Sequence, residues 1–357
     1  MIVLKKIFFL LVLILIPFKV NAIGASSYIV MDQNSGRVLE GSNLDKKRLI
    51  ASISKIMTAI VAIEYGDVES VVEVGDEILD SYGSGIYVQI GEKLTLDDLL
   101  YGLMLRSGND AALAIAHFVG GSKDNFVFMM NEYAKKIGME NTIFLNPSGL
   151  EENDGNGNIS TVLDMAKLTK YAMQNEHFRR IVNTKEIIVK SSLKTYKWTN
   201  KNKLLHSYEY CTGGKTGFTK KAKRTLVTTA SKNGMDLIVV TFNDGDDFED
   251  HKKLYEKYFN NFYVKKILSK GDKYGNDSYV GSDFKVILND KDKVNTEIIN
   301  DDRKDKRNGE VVGKINVFVN DKLIGYRYLY LQKESVRDEK SIFSRLVDFL
   351  KRWGSDD

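Results

Sequence analysis

The chain has 357 residues, 52 Lys and Arg against 48 Asp and Glu, a net charge of +4 and 43% hydrophobic residues. That balance and the scarcity of proline exclude a collagenous or low-complexity chain, and the length exceeds what one core fills, since single cores stop growing near roughly 250–300 residues. A lone cysteine, Cys211, excludes a disulfide framework and a cysteine-rich zinc site, and so small a net charge points away from nucleic acid as a partner.

Residues 1–22 have the form of a secretory signal peptide. Lys5 and Lys6 precede the apolar run Ile7–Phe18, and Val20-Asn21-Ala22 places small or short residues where a signal peptidase reads. The run is too short to span a bilayer, which takes about 20 apolar residues. The chain is therefore expected to be exported.

Next, SSYIVM and RVLEG flank the turn residues Asn34-Ser35-Gly36, which predicts a hairpin. Ile53, Ile56, Met57, Ile60, Val61 and Ile63 recur at helical spacing and predict a helix over 51–65. Residues 95–137 read as three helical pieces: Thr95 with Asp98 forms a capping pair, Asn109-Asp110 interrupts, and Ser122 opens the last piece. A further helix is expected over 161–174. Strands are expected at 225–230 and 235–241, joined through Asn233-Gly234, a strong hairpin signal. Lys252–Phe262 is expected to be the last helix of this part. Strands at both ends with helices between predict an α+β domain over 23–264, its sheet closed by its own termini. Residues 265–335 read as a small all-β domain in which the Asp-, Lys- and Asn-rich stretch 289–310 is a solvated loop. In the tail, 336–357, Ile342, Phe343, Leu346, Val347, Phe349, Leu350 and Trp353 share a helical face with bases at its edges. That pattern suits an amphipathic helix lying on a membrane surface.

Three short motifs carry candidate chemistry. In Ser52-Ile53-Ser54-Lys55 the hydroxyl and the amine are three residues apart on one helical face. A serine needs a base to become a nucleophile, and lysine serves only where burial and nearby cations hold its pKa down. The spacing alone is weak, because Ser191-Ser192-Leu193-Lys194 repeats it in a strand-like stretch where alternation keeps the pair apart. Ser107-Gly108-Asn109 sits between two helical runs, either as a capped turn or as a proton relay beside a substrate-binding amide. Lys215-Thr216-Gly217-Phe218 is either a glycine-rich turn or a carboxylate-binding strand along which glycine admits a substrate backbone. A phosphate-binding loop is ruled out by spacing, since position 209, five before Gly214, is glutamate.

In this order the motifs resemble those of the penicillin-binding proteins and serine β-lactamases. The surrounding words, Ala51–Thr58, Leu105–Ala112, Asn146-Pro147-Ser148-Gly149-Leu150 with Ser160-Thr161 and Asp164-Met165, and Gly214–Thr219, look like the low-molecular-mass serine-type D-Ala-D-Ala carboxypeptidases. The resemblance covers about residues 25–262. It implies a penicillin-binding, β-lactamase-like fold in which an antiparallel sheet carries a helical cluster, and removal of the terminal D-alanine from peptidoglycan stem peptides. It implies Ser52 as nucleophile, Lys55 as base, Ser107 as proton relay and Asn109 as the group orienting Lys55 and the substrate. Lys215 and Thr216 would bind the terminal carboxylate, with Gly217 beside the substrate, and the backbone N–H groups of Ser52 and Phe218 would form the oxyanion hole. β-Lactams are the implied inhibitors, acylating Ser52, and neither a metal nor an organic cofactor is implied.

Two departures bear on the alternatives, a serine β-lactamase and a catalytically silent cell-wall-binding module. The middle motif is Ser-Gly-Asn where class A β-lactamases have Ser-Asp-Asn, and Glu152 with Asn156 only roughly matches the deacylating element of those enzymes. Where some of the carboxypeptidases place an arginine after the Lys-Thr-Gly strand, this chain reads Asn243–Asp250 and is acidic.

Overall fold

The computed structural model describes residues 23–152, 155–275, 277–301 and 307–332. The expected signal peptide and tail helix lie outside the described residues. The chain divides into two units between Val264 and Lys265.

The first unit is built on a five-stranded antiparallel sheet. Its strands are β1 (Ser27–Asp32), β2 (Val38–Ser42), β3 (Cys211–Thr219), β4 (Lys223–Lys232) and β5 (Met235–Phe242), in the order β2-β1-β5-β4-β3. Ser27 pairs with Phe242 and Asp32 with Leu237, so the first and last strands of the unit lie side by side as expected. Asn233 and Gly234 both take positive φ, the geometry of a tight two-residue hairpin turn, which is why Asn-Gly stands there. Alternation along β5 gives each sheet face its own cover. Ile238, Val240 and Phe242 join the main hydrophobic core beneath the helices. Thr241 points instead to the face covered by the helix Asp247–Asn261, where it meets His251.

The helical cluster comprises α1 (Lys55–Tyr65), α2 (Leu96–Leu105), α3 (Asn109–Gly120), α4 (Lys123–Lys136), α5 (Val162–Ala172) and α6 (Glu176–Asn183), followed by the short α7 (Lys203–Ser207) and then α8 (Asp247–Asn261). Thr95 and Asp98 form the expected capping box, and Ser122 and Thr161 cap α4 and α5. Helix α1 is buried on every side from Lys55 to Ala62 and packs on α2 through α6, so apart from Lys55 and Thr58 that span is apolar all round and not striped.

The structure corrects four boundaries. A 3₁₀ turn, Ala51–Ser54, precedes α1, so Ser52 lies in the turn and Lys55 opens the α-helix. The second Ser-x-x-Lys match is the turn of a hairpin between Glu186–Lys190 and Thr195–Thr199. There Ser191 Oγ accepts from the backbone N–H groups of Leu193 and Lys194. Helix α8 begins at Asp247, five residues before the expected start, because Asp247, Glu249 and Asp250 occupy the first turn, where the helix dipole favours acids. The second unit carries a strand, Val294–Asn300, inside the stretch expected to be a loop. It pairs residue by residue with Val311–Val319, whose backbone outweighs the polar side-chain composition.

Among its described residues, that second unit is all-β. A five-stranded sheet and a two-stranded one, Tyr263–Leu268 with Phe284–Leu288, enclose Leu268, Val280, Phe284, Val286, Leu288, Ile315, Val317, Val319 and Leu329.

Candidate active site

The 3₁₀ turn presents Ser52 half-exposed at the base of a cleft of ≈ 510 Å³, lined also by Ser84, Ser107, Lys201, Thr216, Gly217, Phe218, Arg224 and Asp247. Ala51 is held at φ +50, a strained value for a residue with a side chain, and Ser107 at φ +62. Each strained residue sits where the chain turns sharply to aim a hydroxyl at the cleft.

Lys55 is fully buried, and its Nζ contacts three oxygens: Ser52 Oγ at 3.2 Å, Asn109 Oδ1 at 2.7 Å and the carbonyl of Ser148. Burial, and after it the charge of Lys201, push its pKa down to about 7, against the opposing pull of Asp110. Asn109 opens α3 and donates its Nδ2 to the carbonyl of Tyr82, which fixes the amide so that Oδ1 faces Lys55. The neighbouring Asp110 carboxylate accepts from the backbone N–H groups of Ile86 and Tyr87. The loop over 82–87 is thereby tied to the start of α3.

Lys215 is also buried, with Nζ donating to the carbonyl of Thr216 at 2.8 Å. Burial foremost, then the charges of Lys55 and Lys201, hold its pKa well below the ordinary lysine value. Strand β3 is the outer strand of the sheet, so one side of its backbone faces away from the other strands. A Cβ on Gly217 would lie 2.4 Å from Thr225 Oγ1 and 3.0 Å from the backbone nitrogen of Ser52, so only glycine lets the strand run so close beside the serine. Phe218 follows and is 64% exposed.

The structure thus gathers Ser52, Lys55, Ser107, Asn109, Lys215, Thr216, Gly217 and Phe218 in and around one cleft. Glu152 does not line it; that side chain pairs with Lys123 and accepts from Asn146. Cys211 is buried, its thiol pushed up to about 11 by desolvation, and takes no part.

Three groups were not legible in the motifs. The Ser148 carbonyl reaches Lys55 because Asn146 braces its turn, accepting from Ser148 Oγ and Gly149 N. Lys201 lines the cleft and donates to Ser84 Oγ at 3.0 Å. Arg224, on β4 directly across from Phe218, donates to the buried Asp247 at the start of α8. The acidic stretch after the Lys-Thr-Gly strand therefore holds an arginine in the cleft wall.

Over residues 17–246 the chain matches the family described as D-alanyl-D-alanine carboxypeptidase. The chain belongs to that family. It is 34% identical over 225 residues to the D-alanyl-D-alanine carboxypeptidase DacF of Bacillus subtilis, a match over 61% of this chain and 57% of that protein. The chain therefore spans little more than half of that relative's length. The D-alanyl-D-alanine carboxypeptidase DacA of Escherichia coli K12 is 30% identical over 370 residues, covering 93% of this chain and 88% of its own. Among solved structures, penicillin binding protein 5 of Haemophilus influenzae superposes with a TM-score of 0.73 at 26% identity. That superposition covers 87% of this chain and 97% of that one. This relative extends the likeness beyond the first unit and shows the same α+β class. No helix of the described residues is long and apolar enough to cross a membrane.

Proposed function

We propose that this family member is an exported serine carboxypeptidase that removes the terminal D-alanine from peptidoglycan stem peptides and binds penicillin. One observation carries the reading. Two of the three partners of Lys55 Nζ, Asn109 Oδ1 and the Ser148 carbonyl, only accept, while the third, the Ser52 hydroxyl, can also donate. A neutral amine has two N–H donors for the first two and a lone pair for the third. Its pKa of about 7 makes that neutral form available at working pH.

In the reaction, Ser52 Oγ bonds to the carbonyl carbon between the two D-alanines as its proton passes to Lys55. The developing oxyanion lies toward the backbone N–H groups of Ser52 and Phe218. Collapse breaks the C–N bond, and the departing D-alanine nitrogen takes a proton delivered through Ser107. Water then cleaves the ester on Ser52. Thr216, Lys215 and Arg224 hold the terminal carboxylate, Arg224 taking the part of the arginine missing after the Lys-Thr-Gly strand. A β-lactam acylates Ser52 by the same first step. The tail, by its amphipathic sequence, would hold the enzyme to the outer face of the membrane.

The test uses protein lacking residues 1–22. It measures D-alanine release from a peptide ending in D-Ala-D-Ala and labelling by a fluorescent penicillin. Release and labelling that both vanish in Ser52→Ala support the reading; absence of both in the unaltered protein overturns it.

A further inference from the structure

The start of the described chain is docked on the segment that leads into α8. Ser26 N donates to the carbonyls of Phe242 and Asn243, and Asn243 Nδ2 donates to Ser26 Oγ. Two residues earlier, Gly24 N donates to Asp250 Oδ2 at 2.7 Å. A Cβ placed on Gly24 would be 3.5 Å from both Asp244 Oδ1 and Asp250 Oδ2, so two carboxylates face this one residue.

The surrounding charges do not balance. Asp250 pairs with Lys253, and Asp247 pairs with Arg224. Asp246 and Glu249 add negative charge in the same turn, and His251, buried and held neutral, supplies no cation. Asp244 is 1% exposed; its Oδ1 accepts from the backbone N–H of Asp246, and the Arg224 charge reaches it, but among the described residues it has no ion-pair partner and its Oδ2 no hydrogen-bond partner. Burial, reinforced by Asp250 and Asp247 and opposed by the Asp246 N–H and the Thr241 hydroxyl, pushes its carboxyl up to about 6. A buried, incompletely bonded carboxylate is costly unless a cation meets it.

The sequence supplies a cation at this place. If the leader is removed after Ala22, the new α-amino group is that of Ile23, one residue, about 3.8 Å, from Gly24. We propose that leader removal creates an internal ion pair between the α-ammonium of Ile23 and the Asp244–Asp250 carboxylates. The pair completes the loop that carries Asp247 and Phe248 into the cleft wall. Before cleavage the Ile23 nitrogen is an uncharged amide and cannot form it. The inference rests on the reading of residues 1–22 as a cleaved leader and is independent of the reaction assigned to the cleft.

The test compares full-length mature chains: one beginning at Ile23, one keeping Asn21-Ala22 ahead of it, and each with Asp244→Asn. Mass spectrometry of the exported protein first identifies its N-terminus, expected at Ile23. Amine labelling at pH 7.5 is expected to be about tenfold slower in the Ile23 chain than in its Asp244→Asn form, corresponding to about one pKa unit. The two-residue extension is expected to lower the melting temperature by roughly 3 °C, and Asp244→Asn to add nothing further to the extended chain. A different N-terminus, equal labelling rates or additive losses of melting temperature would each overturn the proposal. The extended chain needs no core substitution, so the comparison survives even if Asp244→Asn folds poorly.

Discussion

Asn109 Oδ1 lies 2.7 Å from Lys55 Nζ and so joins the first residues of two helices 54 positions apart in the chain. The contact places a neutral dipole, not a charge, on a buried amine. Changing that one atom's charge changes when the amine is a base. In the unaltered enzyme, acylation by penicillin is expected to rise with pH through about 7, as Lys55 loses its proton, and then to level off. Asn109→Asp sets an anion beside the ammonium, stabilises the protonated form and moves the midpoint upward by about 1–2 units. Acylation rates measured between pH 5 and 10 check this; a midpoint left near 7 would show that Asn109 does not tune Lys55.

Lys201 acts in the opposite sense. Its charge is the largest contribution after burial to the low pKa of Lys55, so Lys201→Met removes a like charge and is also expected to raise the midpoint. At pH 6.5 the variant should acylate several-fold more slowly, and by pH 9 the difference should close. A deficit that persists unchanged at pH 9 would assign Lys201 to substrate binding instead.

Gly149 occupies φ +81, and a Cβ there would stand 2.0 Å from the carbonyl oxygen of Ala51, the residue before Ser52. No side chain fits without moving the 3₁₀ turn. Gly149→Ala is expected to cost about 2–4 kcal/mol of stability, from overpacking and a left-handed backbone together. Urea unfolding measures this, and loss of penicillin labelling in the protein that remains folded is expected to accompany it.

Arg224 and Asp247 form a pair whose arginine is partly open to the cleft while its carboxylate is buried. On the role proposed for Arg224, Arg224→Gln removes the cation that holds the terminal carboxylate and leaves Asp247 facing the substrate. We expect kcat/KM for a peptide ending in a free carboxylate to fall roughly 10- to 100-fold, with little change for the C-terminal amide of the same peptide. Adding Asp247→Asn should restore the melting temperature without restoring kcat/KM. If the double variant recovers both, the pair is structural.

Ser52→Ala is the complementary case, because the hydroxyl sits at a half-exposed surface with one hydrogen bond to Lys55. Its removal is expected to abolish covalent labelling and cut D-alanine release by at least about a thousandfold, while stability changes by less than about 1 kcal/mol. Calorimetry alongside the assay separates these effects.

How much of this was open to a reader of the sequence follows from how far each interaction reaches. Ser52 and Lys55 are three residues apart, so helical geometry alone brings them together, and the 3₁₀ form of the turn did not change that. The Thr95–Asp98 capping box and the Asn233-Gly234 turn are equally local and were legible for the same reason. Ser107, Asn109 and Lys215 were recognisable as words in a familiar order, but their distances from Lys55 were not. The carbonyl of Ser148 carries no side-chain signature at all. Arg224 was missed because the cleft draws it from a neighbouring strand, across from Phe218, and not from the stretch where an arginine was sought. The strand Val294–Asn300 was hidden because pairing with Val311–Val319 satisfies its backbone whatever its polar side chains suggest. The sequence by itself determined the local turns, caps and motif order, because those depend on neighbours three or four residues away. Only the tertiary structure decided which amine is buried, which carbonyl faces it and which cation guards the cleft, because those depend on packing between segments far apart in the chain.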